Sequence, residues 1–335
     1  MMAKIAINGF GRIGRNFFKI ALARSDMEIV AINDLTDAPT LAYLLKYDST
    51  YGVYDQEVRA EGDELIVDGK RYKVLAEKDP ENLPWGELGV DVVVECTGLF
   101  TKTEDAKKHI AAGAKKIVIS APAKDEGART IVLGVNEEAL SAEDDIISNA
   151  SCTTNCITPV MAVIEENFGI EKAMMTTVHA YTASQRLLDA PAKDLREARA
   201  AAENIVPTTT GASKAAALAL PAVKGKFAGL SVRVPVPVVS LADFVILVKK
   251  DTNIEEINHA FKTAATEARF AGILSATDEP LVSSDFRGNS YSCTVDMQLT
   301  DVVGGNMIKV VSWYDNEWGY SSRLVEITEK VGAMV

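Results

Sequence analysis

The sequence predicts an α/β N-terminal half followed by an α+β C-terminal half with a mainly antiparallel sheet, and a change in patterning along the chain is what predicts it. Up to about residue 150, short apolar strands alternate with amphipathic helix patterns, as in a mostly parallel sheet. Beyond that point the strands lengthen and fewer helices separate them, as in an antiparallel sheet covered by helices on one face. The chain has 335 residues, 47% of them hydrophobic, which is enough to fill two cores. The expected division is residues 1–150, completed by a C-terminal helix at about 316–335, and residues 151–315.

Residues 4–8 read as a buried strand and residues 28–34 as a second one. Between them, residues 12–24 carry Ile13, Phe17, Ile20, Ala21 and Ala23 at near-helical spacing, which completes a βαβ unit. Further strands are expected at 90–94, 116–119 and 146–148. A helix is expected over 103–112, started by the Thr103 hydroxyl and the first-turn acids Glu104 and Asp105. In the second half, strands are expected at 174–178, 230–238, 239–248, 292–299 and 307–314. A capping-box arrangement of Asn253 and Glu256 opens a helix running to about Phe270. The segment 181–207 is long, charged and aperiodic, which in a compact domain marks a functional or interface loop.

Lys and Arg total 35 against 47 Asp and Glu, a net charge of -12 that repels nucleic acid and anionic membranes. Any phosphate must therefore be held by a local concentration of donors. No apolar run approaches the roughly 20 residues that span a bilayer, and the first residues enter a strand pattern without a cleavable apolar segment. With four cysteines (Cys96, Cys152, Cys156 and Cys293) and no secretory signal, reduced thiols in the cytoplasm are expected.

Gly9-Phe-Gly11-Arg-Ile-Gly14 follows a strand and opens a helix, and Asp34 ends the next strand 20 residues after Gly14. In this order the parts form a dinucleotide fingerprint of the Rossmann type. Gly9 serves the tight turn, Gly11 the close approach of a pyrophosphate and Gly14 helix–sheet contact, with the helix N-terminus receiving the anion. An acid at Asp34 accepts from the adenosine ribose and repels a 2′-phosphate, which favours NAD over NADP.

The stretch Asn149-Ala-Ser-Cys-Thr-Thr-Asn-Cys156 links a buried strand to a buried helix. A zinc site is not expected, because no histidines or second cysteine pair lie nearby. Cys156, one helical turn beyond Cys152, is expected to pack as a small buried side chain. Cys152 sits at the helix entrance, where free amides and the dipole favour a thiolate nucleophile. Of the three histidines, His109 reads as a surface residue of a helix and His259 lies inside another. His179 ends a strand and opens the long loop, where it can act as the base; a satisfied, non-catalytic histidine is the other reading, since Cys–His pairing does not follow from separation.

The whole chain resembles the phosphorylating, glycolytic glyceraldehyde-3-phosphate dehydrogenases. The resemblance is carried by Ile7-Asn-Gly-Phe-Gly-Arg-Ile-Gly-Arg15, Ser148-Asn-Ala-Ser-Cys-Thr-Thr-Asn-Cys156, Thr176-Thr-Val-His-Ala-Tyr-Thr182, Pro207-Thr-Thr-Thr-Gly-Ala212, Arg233-Val-Pro235, Trp313-Tyr-Asp-Asn-Glu317 and Gly319-Tyr320. It implies that Cys152 attacks D-glyceraldehyde 3-phosphate, that His179 is the base and oxyanion stabiliser, and that inorganic phosphate cleaves a thioester to give 1,3-bisphosphoglycerate. By the same resemblance Ser151, Thr153, Thr210 and Gly211 line one anion position. Thr182, Arg233 and Arg196 line the other, with Arg233 able to touch both.

On the cofactor side the resemblance adds Arg12 and Ile13 near the pyrophosphate, Lys78 and Ser120 near a ribose, Asn316 at the carboxamide and Tyr320 beside the nicotinamide of NAD, with weaker claims for Pro122, Cys96 and Thr97. It implies a homotetramer in which the 181–207 loop packs between subunits. Two departures stand out: Glu197 where many bacterial relatives carry a second arginine, and Ala190 before Pro191 where strictly NAD-using relatives often show a bulkier residue. Alternative readings are an erythrose-4-phosphate dehydrogenase, which releases its acid by hydrolysis, and a moonlighting binding paralogue with weak catalysis.

Overall fold

The computed structural model describes residues 2–23 and 27–335, so Arg24, the expected end of the first helix, lies outside the described residues. The chain divides into two compact units: residues 1–131, 138–150 and 321–335 form the first, and residues 132–137 and 151–320 the second.

The first unit is built on a nine-stranded sheet. Its parallel part runs, in spatial order, through Arg129–Thr130, Ile146–Ser148, Lys116–Ile119, Val92–Glu95, Ala3–Asn8, Met27–Asn33 and Lys70–Leu75. Glu64–Val67 and Val58–Glu61 extend it antiparallel. The central strands are largely apolar because they are covered on both faces, and Ile5, Ile7, Val92, Val93, Val94, Ile117 and Ile119 are all fully buried. Arg12–Leu22 supplies the first crossover helix. The C-terminal helix Trp318–Gly332 ends against the first strand, where a Cβ on Gly332 would lie 2.7 Å from that of Ala3.

Helix Thr103–Ala111 forms as expected, but the Thr103 hydroxyl does not cap it. The cap position is Lys102, and the Thr103 amide and hydroxyl both donate to the Asp125 carboxylate. A carboxylate attracts these donors more strongly than the hydroxyl attracts its own helix amides.

The second unit carries an eight-stranded, mainly antiparallel sheet ordered Val206–Thr208, Phe227–Val234, Ile170–Ala180, Ser240–Val248, Met307–Tyr314, Cys293–Asp296 and Leu274–Thr277, with Asp301–Val303 beside Met307–Tyr314. Its inner face presents Ala173, Met175, Ala242, Phe244, Ile246, Ile308 and Val310 to helix Cys152–Phe168, forming one core with Val160, Met161 and Ile164. The outer face leaves Met174, Leu230, Val245 and Met307 exposed. Strand 227–234 stops before the expected 238 because Pro235 and Pro237 cannot continue a ladder. Asn253 caps its helix through Glu256 N, at 2.9 Å, but the helix is Ile254–Ala264 and stops short of Phe270, which belongs to a separate 3-10 turn.

Candidate active site

In the first unit, the C-terminal ends of parallel strands form a cavity of about 340 Å³, lined by Asn8, Gly9, Gly11, Asn33, Asp34, Lys78, Cys96, Thr97 and their neighbours. Gly9 adopts φ +93°, and a Cβ there would collide with Thr97 N at 2.7 Å. A Cβ on Gly14 would lie 2.1 Å from Gly9 O, so this glycine lets the helix touch the turn. Around Gly11 nothing lies within 4 Å of a built Cβ, which leaves its backbone open to a ligand. Asp34 is held in place by Phe10 N at 2.7 Å and Thr36 N at 2.9 Å. Arg12 donates to the buried carboxylate of Asp48 at 2.7 Å and stacks over Tyr51. Ile13 is half-buried at the start of the same helix, and Ser120 is half-buried at the end of strand 116–119. This donor set and open glycine turn fit a dinucleotide.

The second unit gathers the nucleophile cluster. The strand Ile146–Ser148 passes into helix Cys152–Phe168 through Ala150, which takes a left-handed φ of 53°, and Ser151, which caps the helix by accepting from Thr154 N at 3.0 Å. Cys152 thus occupies the first helical position. Its Sγ lies 3.6 Å from His179 Nε2. His179 and Arg233 are register partners on adjacent parallel strands, which brings Arg233 Nη1 to 2.5 Å from His179 Nδ1. Nδ1 also lies 2.7 Å from Ala180 O, so it meets both a carbonyl acceptor and the guanidinium donor, while Nε2 faces the thiol. Behind the imidazole, Tyr314 stands edge-on at 5.9 Å, with its hydroxyl bonded to Thr177 Oγ1 at 2.8 Å and Thr153 Oγ1 at 3.1 Å.

Burial pushes the Cys152 thiol up from its ordinary value, against the pull of the Arg233 charge and the Thr153 hydrogen bonds. Burial thus works against the thiolate that the helix entrance, the Arg233 charge and the Thr153 contacts favour. His179 is pushed down to about 3, first by burial and then by the Arg233 guanidinium. Cys156 is fully buried against Ser312 Oγ, as its helical offset suggested.

The remaining expected residues divide. Thr210 accepts from Ala212 N at 3.1 Å at the start of helix Ala212–Ala219, whose cap position is Gly211. Thr182 bonds Ser184 Oγ at 3.0 Å. Arg196 is exposed and lines a groove with Glu197, Thr208 and Leu230, and no hydrogen bond or ion pair among the described residues joins it to Arg233. Glu197 instead accepts from Thr208 Oγ1 at 3.1 Å. Asn316 is buried, its Oδ1 accepting from Ser240 Oγ at 3.0 Å, and Tyr320 is buried as well.

One expectation fails outright. His109 is fully buried in the first unit, bonded to Trp85 and Glu95, rather than exposed on its helix. The sequence signal was an acid, Glu95, closing the otherwise apolar strand Val92–Glu95, which needs a buried partner. The hydroxyl network of Tyr314 was missed too, because it joins strands distant in sequence.

Comparison with known proteins agrees with both halves. Residues 3–103 match the family model for the glyceraldehyde 3-phosphate dehydrogenase NAD binding domain, and residues 151–316 match the model for the C-terminal domain of the same family. A glyceraldehyde-3-phosphate dehydrogenase of Geobacillus stearothermophilus is 58% identical over 334 residues, covering 99% of each chain. One from Streptomyces coelicolor is 57% identical over the same length and coverage, and one from Zymomonas mobilis is 52% identical over 97% of each chain. The chain belongs to the glyceraldehyde-3-phosphate dehydrogenase family.

Proposed function

We propose that this chain catalyses the NAD-dependent oxidative phosphorylation of D-glyceraldehyde 3-phosphate to 1,3-bisphosphoglycerate in glycolysis and gluconeogenesis. The observation that carries this reading is the 3.6 Å approach of Cys152 Sγ to His179 Nε2 at a helix entrance, with Arg233 beside them. His179 Nε2 takes the thiol proton and Cys152 Sγ adds to the aldehyde carbon. The imidazolium then faces the new alkoxide and stabilises it. Bound NAD supplies the hydride acceptor that turns the hemithioacetal into a thioester. Inorganic phosphate attacks the thioester, the acyl–sulfur bond breaks and the Cys152 thiolate leaves.

Arg233 Nε is buried without a hydrogen-bond partner among the described residues, which supports it as a phosphate ligand. Ser151, Thr153, Thr182, Thr210, Gly211 and Arg196 fill the two anion positions in this reading. Gly9, Gly11, Arg12, Ile13, Gly14, Asp34, Lys78, Ser120, Asn316 and Tyr320 serve NAD. The NAD domain is residues 1–150 with the C-terminal helix, and the catalytic domain is 151–315.

A homotetramer is supported by the exposed Leu187, Leu188 and Leu195 of the long loop and by the uncovered sheet face with Met174 and Leu230. No helix among the described residues is long and apolar enough to cross a membrane, and a cytoplasmic location follows from the glycolytic role. The test is NADH formation from glyceraldehyde 3-phosphate with and without inorganic phosphate. Strict phosphate dependence, lost by at least about 10³-fold in Cys152→Ser, is expected. Turnover without phosphate, or faster with erythrose 4-phosphate, would transfer the chain to the hydrolytic relative.

A further inference from the structure

We propose that Glu95 is a positioning residue for the NAD pocket, acting through a buried hydrogen-bond relay that ends on His109 and Trp85. The inference rests on the reading of this cavity as the NAD site. Asn33, Asn8 and Glu95 end three adjacent parallel strands in register, Asn33 opposite Asn8 and Asn8 opposite Glu95. Their side chains therefore meet in a row along the C-terminal edge of the sheet, beneath the glycine turn. Asn33 Nδ2 donates to Asn8 Oδ1 at 2.7 Å, and Asn8 Nδ2 donates to Glu95 Oε2 at 2.5 Å.

The far end has a fixed polarity. An indole N–H can only donate, so Trp85 Nε1, 2.9 Å from His109 Nδ1, makes that nitrogen an acceptor. His109 then carries its proton on Nε2, 3.3 Å from Glu95 Oε2. The other oxygen, Oε1, accepts from Thr97 N at 2.7 Å and from the Thr97 hydroxyl, which itself accepts from Leu99 N at 3.0 Å. Glu95, His109 and Trp85 are at most 1% exposed.

The relay touches the pocket at two walls. Asn8 and Asn33 line it directly, and so do Thr97 and Leu99. Gly9 packs so closely on the Cys96–Thr97 backbone that even a Cβ would collide, and a shift of Thr97 is passed straight to the glycine turn. An all-acceptor carboxylate is required at Glu95, because every group facing it is a donor. A glutamine there would turn an N–H toward Thr97 N–H or toward Asn8 Nδ2 and break the row.

The test measures the NAD dissociation constant, steady-state kinetics and thermal unfolding for the wild type, Glu95→Gln, His109→Leu and His109→Gln. Glutamine at 109 can accept from Trp85 and donate to Glu95, whereas leucine can do neither. Glu95→Gln and His109→Leu are expected to raise Kd and KM for NAD about tenfold, with the loss falling on KM rather than kcat, and His109→Gln is expected to remain within about twofold of the wild type. Lowered melting temperatures with unchanged NAD affinity, or equal affinity for the two His109 variants, would overturn the positioning role. A wild type that does not bind NAD would instead overturn the reading of the pocket itself. Should Glu95→Gln fail to fold, the pair at 109 decides.

Discussion

Two buried histidines, one in each unit, have similar exposure and opposite company. His109 at 0% faces a carboxylate and an indole donor, and both ring nitrogens are spoken for by groups of complementary sign. His179 at 3% faces a guanidinium and a carbonyl, and its Nε2 is left pointing at a thiol. The first arrangement is closed: Trp85 donates to Nδ1, and Nε2 faces Glu95 Oε2 with Asn8 Nδ2 3.4 Å away. The second is open, with Nε2 facing a thiol 3.6 Å away. Burial alone does not distinguish a structural histidine from a reactive one; the sign and saturation of its neighbours do.

The largest effect that could break this comparison is on turnover. His179→Gln should lower kcat by about 10²- to 10⁴-fold, the usual contribution of a positioned base, measured under saturating substrates. The same variant carries a stability signature. A histidine pushed from 6.5 to about 3 binds fewer protons folded than unfolded between those values, so its contribution to stability is complete above about pH 6.5 and is lost as pH falls toward 3. The full loss is roughly 5 kcal/mol. Denaturant unfolding of His179→Gln across this window should give a flatter pH dependence than the wild type, and parallel curves would mean that His179 is not held neutral.

Arg233→Met sharpens the contrast by removing the positive neighbour. The His179 pKa should rise from about 3 toward its ordinary value, moving the acid limb of kcat/KM to higher pH, while the Cys152 thiol loses an opposing charge and rises further. KM for inorganic phosphate should also increase. An unmoved acid limb would show that burial, not charge, sets the imidazole. The smallest effect belongs to the closed site: Trp85→Phe leaves His109 Nδ1 without its donor and should cost about 1–3 kcal/mol in equilibrium unfolding.

Much of this was legible along the chain. The glycine turn could be read because each glycine answers a local need, a left-handed φ at Gly9 and a helix-to-turn contact at Gly14. The parallel sheet could be read because strands buried on both faces are largely apolar. The nucleophile helix could be read because Ser151 caps it through a contact only three residues long. His109 was misread because two lysines, Lys107 and Lys108, precede it and give no hint that its face of the helix meets Trp85 and Glu95. The helix after Asn253 was drawn too long because an apolar residue such as Phe270 fits either a continued helix or a separate turn.

By itself, the sequence determined the order of elements, the two sheet types and the dinucleotide turn, and it marked Cys152 as the candidate nucleophile, because these depend on spacings of a few residues and on side-chain chemistry. The tertiary structure decided which groups share a site and in what protonation state. Arg233 reaches His179 across 54 residues through parallel register, and Glu95 meets Asn8 across 87 in the same way. Register between strands is set by packing of the whole sheet, and the loss of water that pushes the His179 imidazole down and the Cys152 thiol up exists only once that packing is complete.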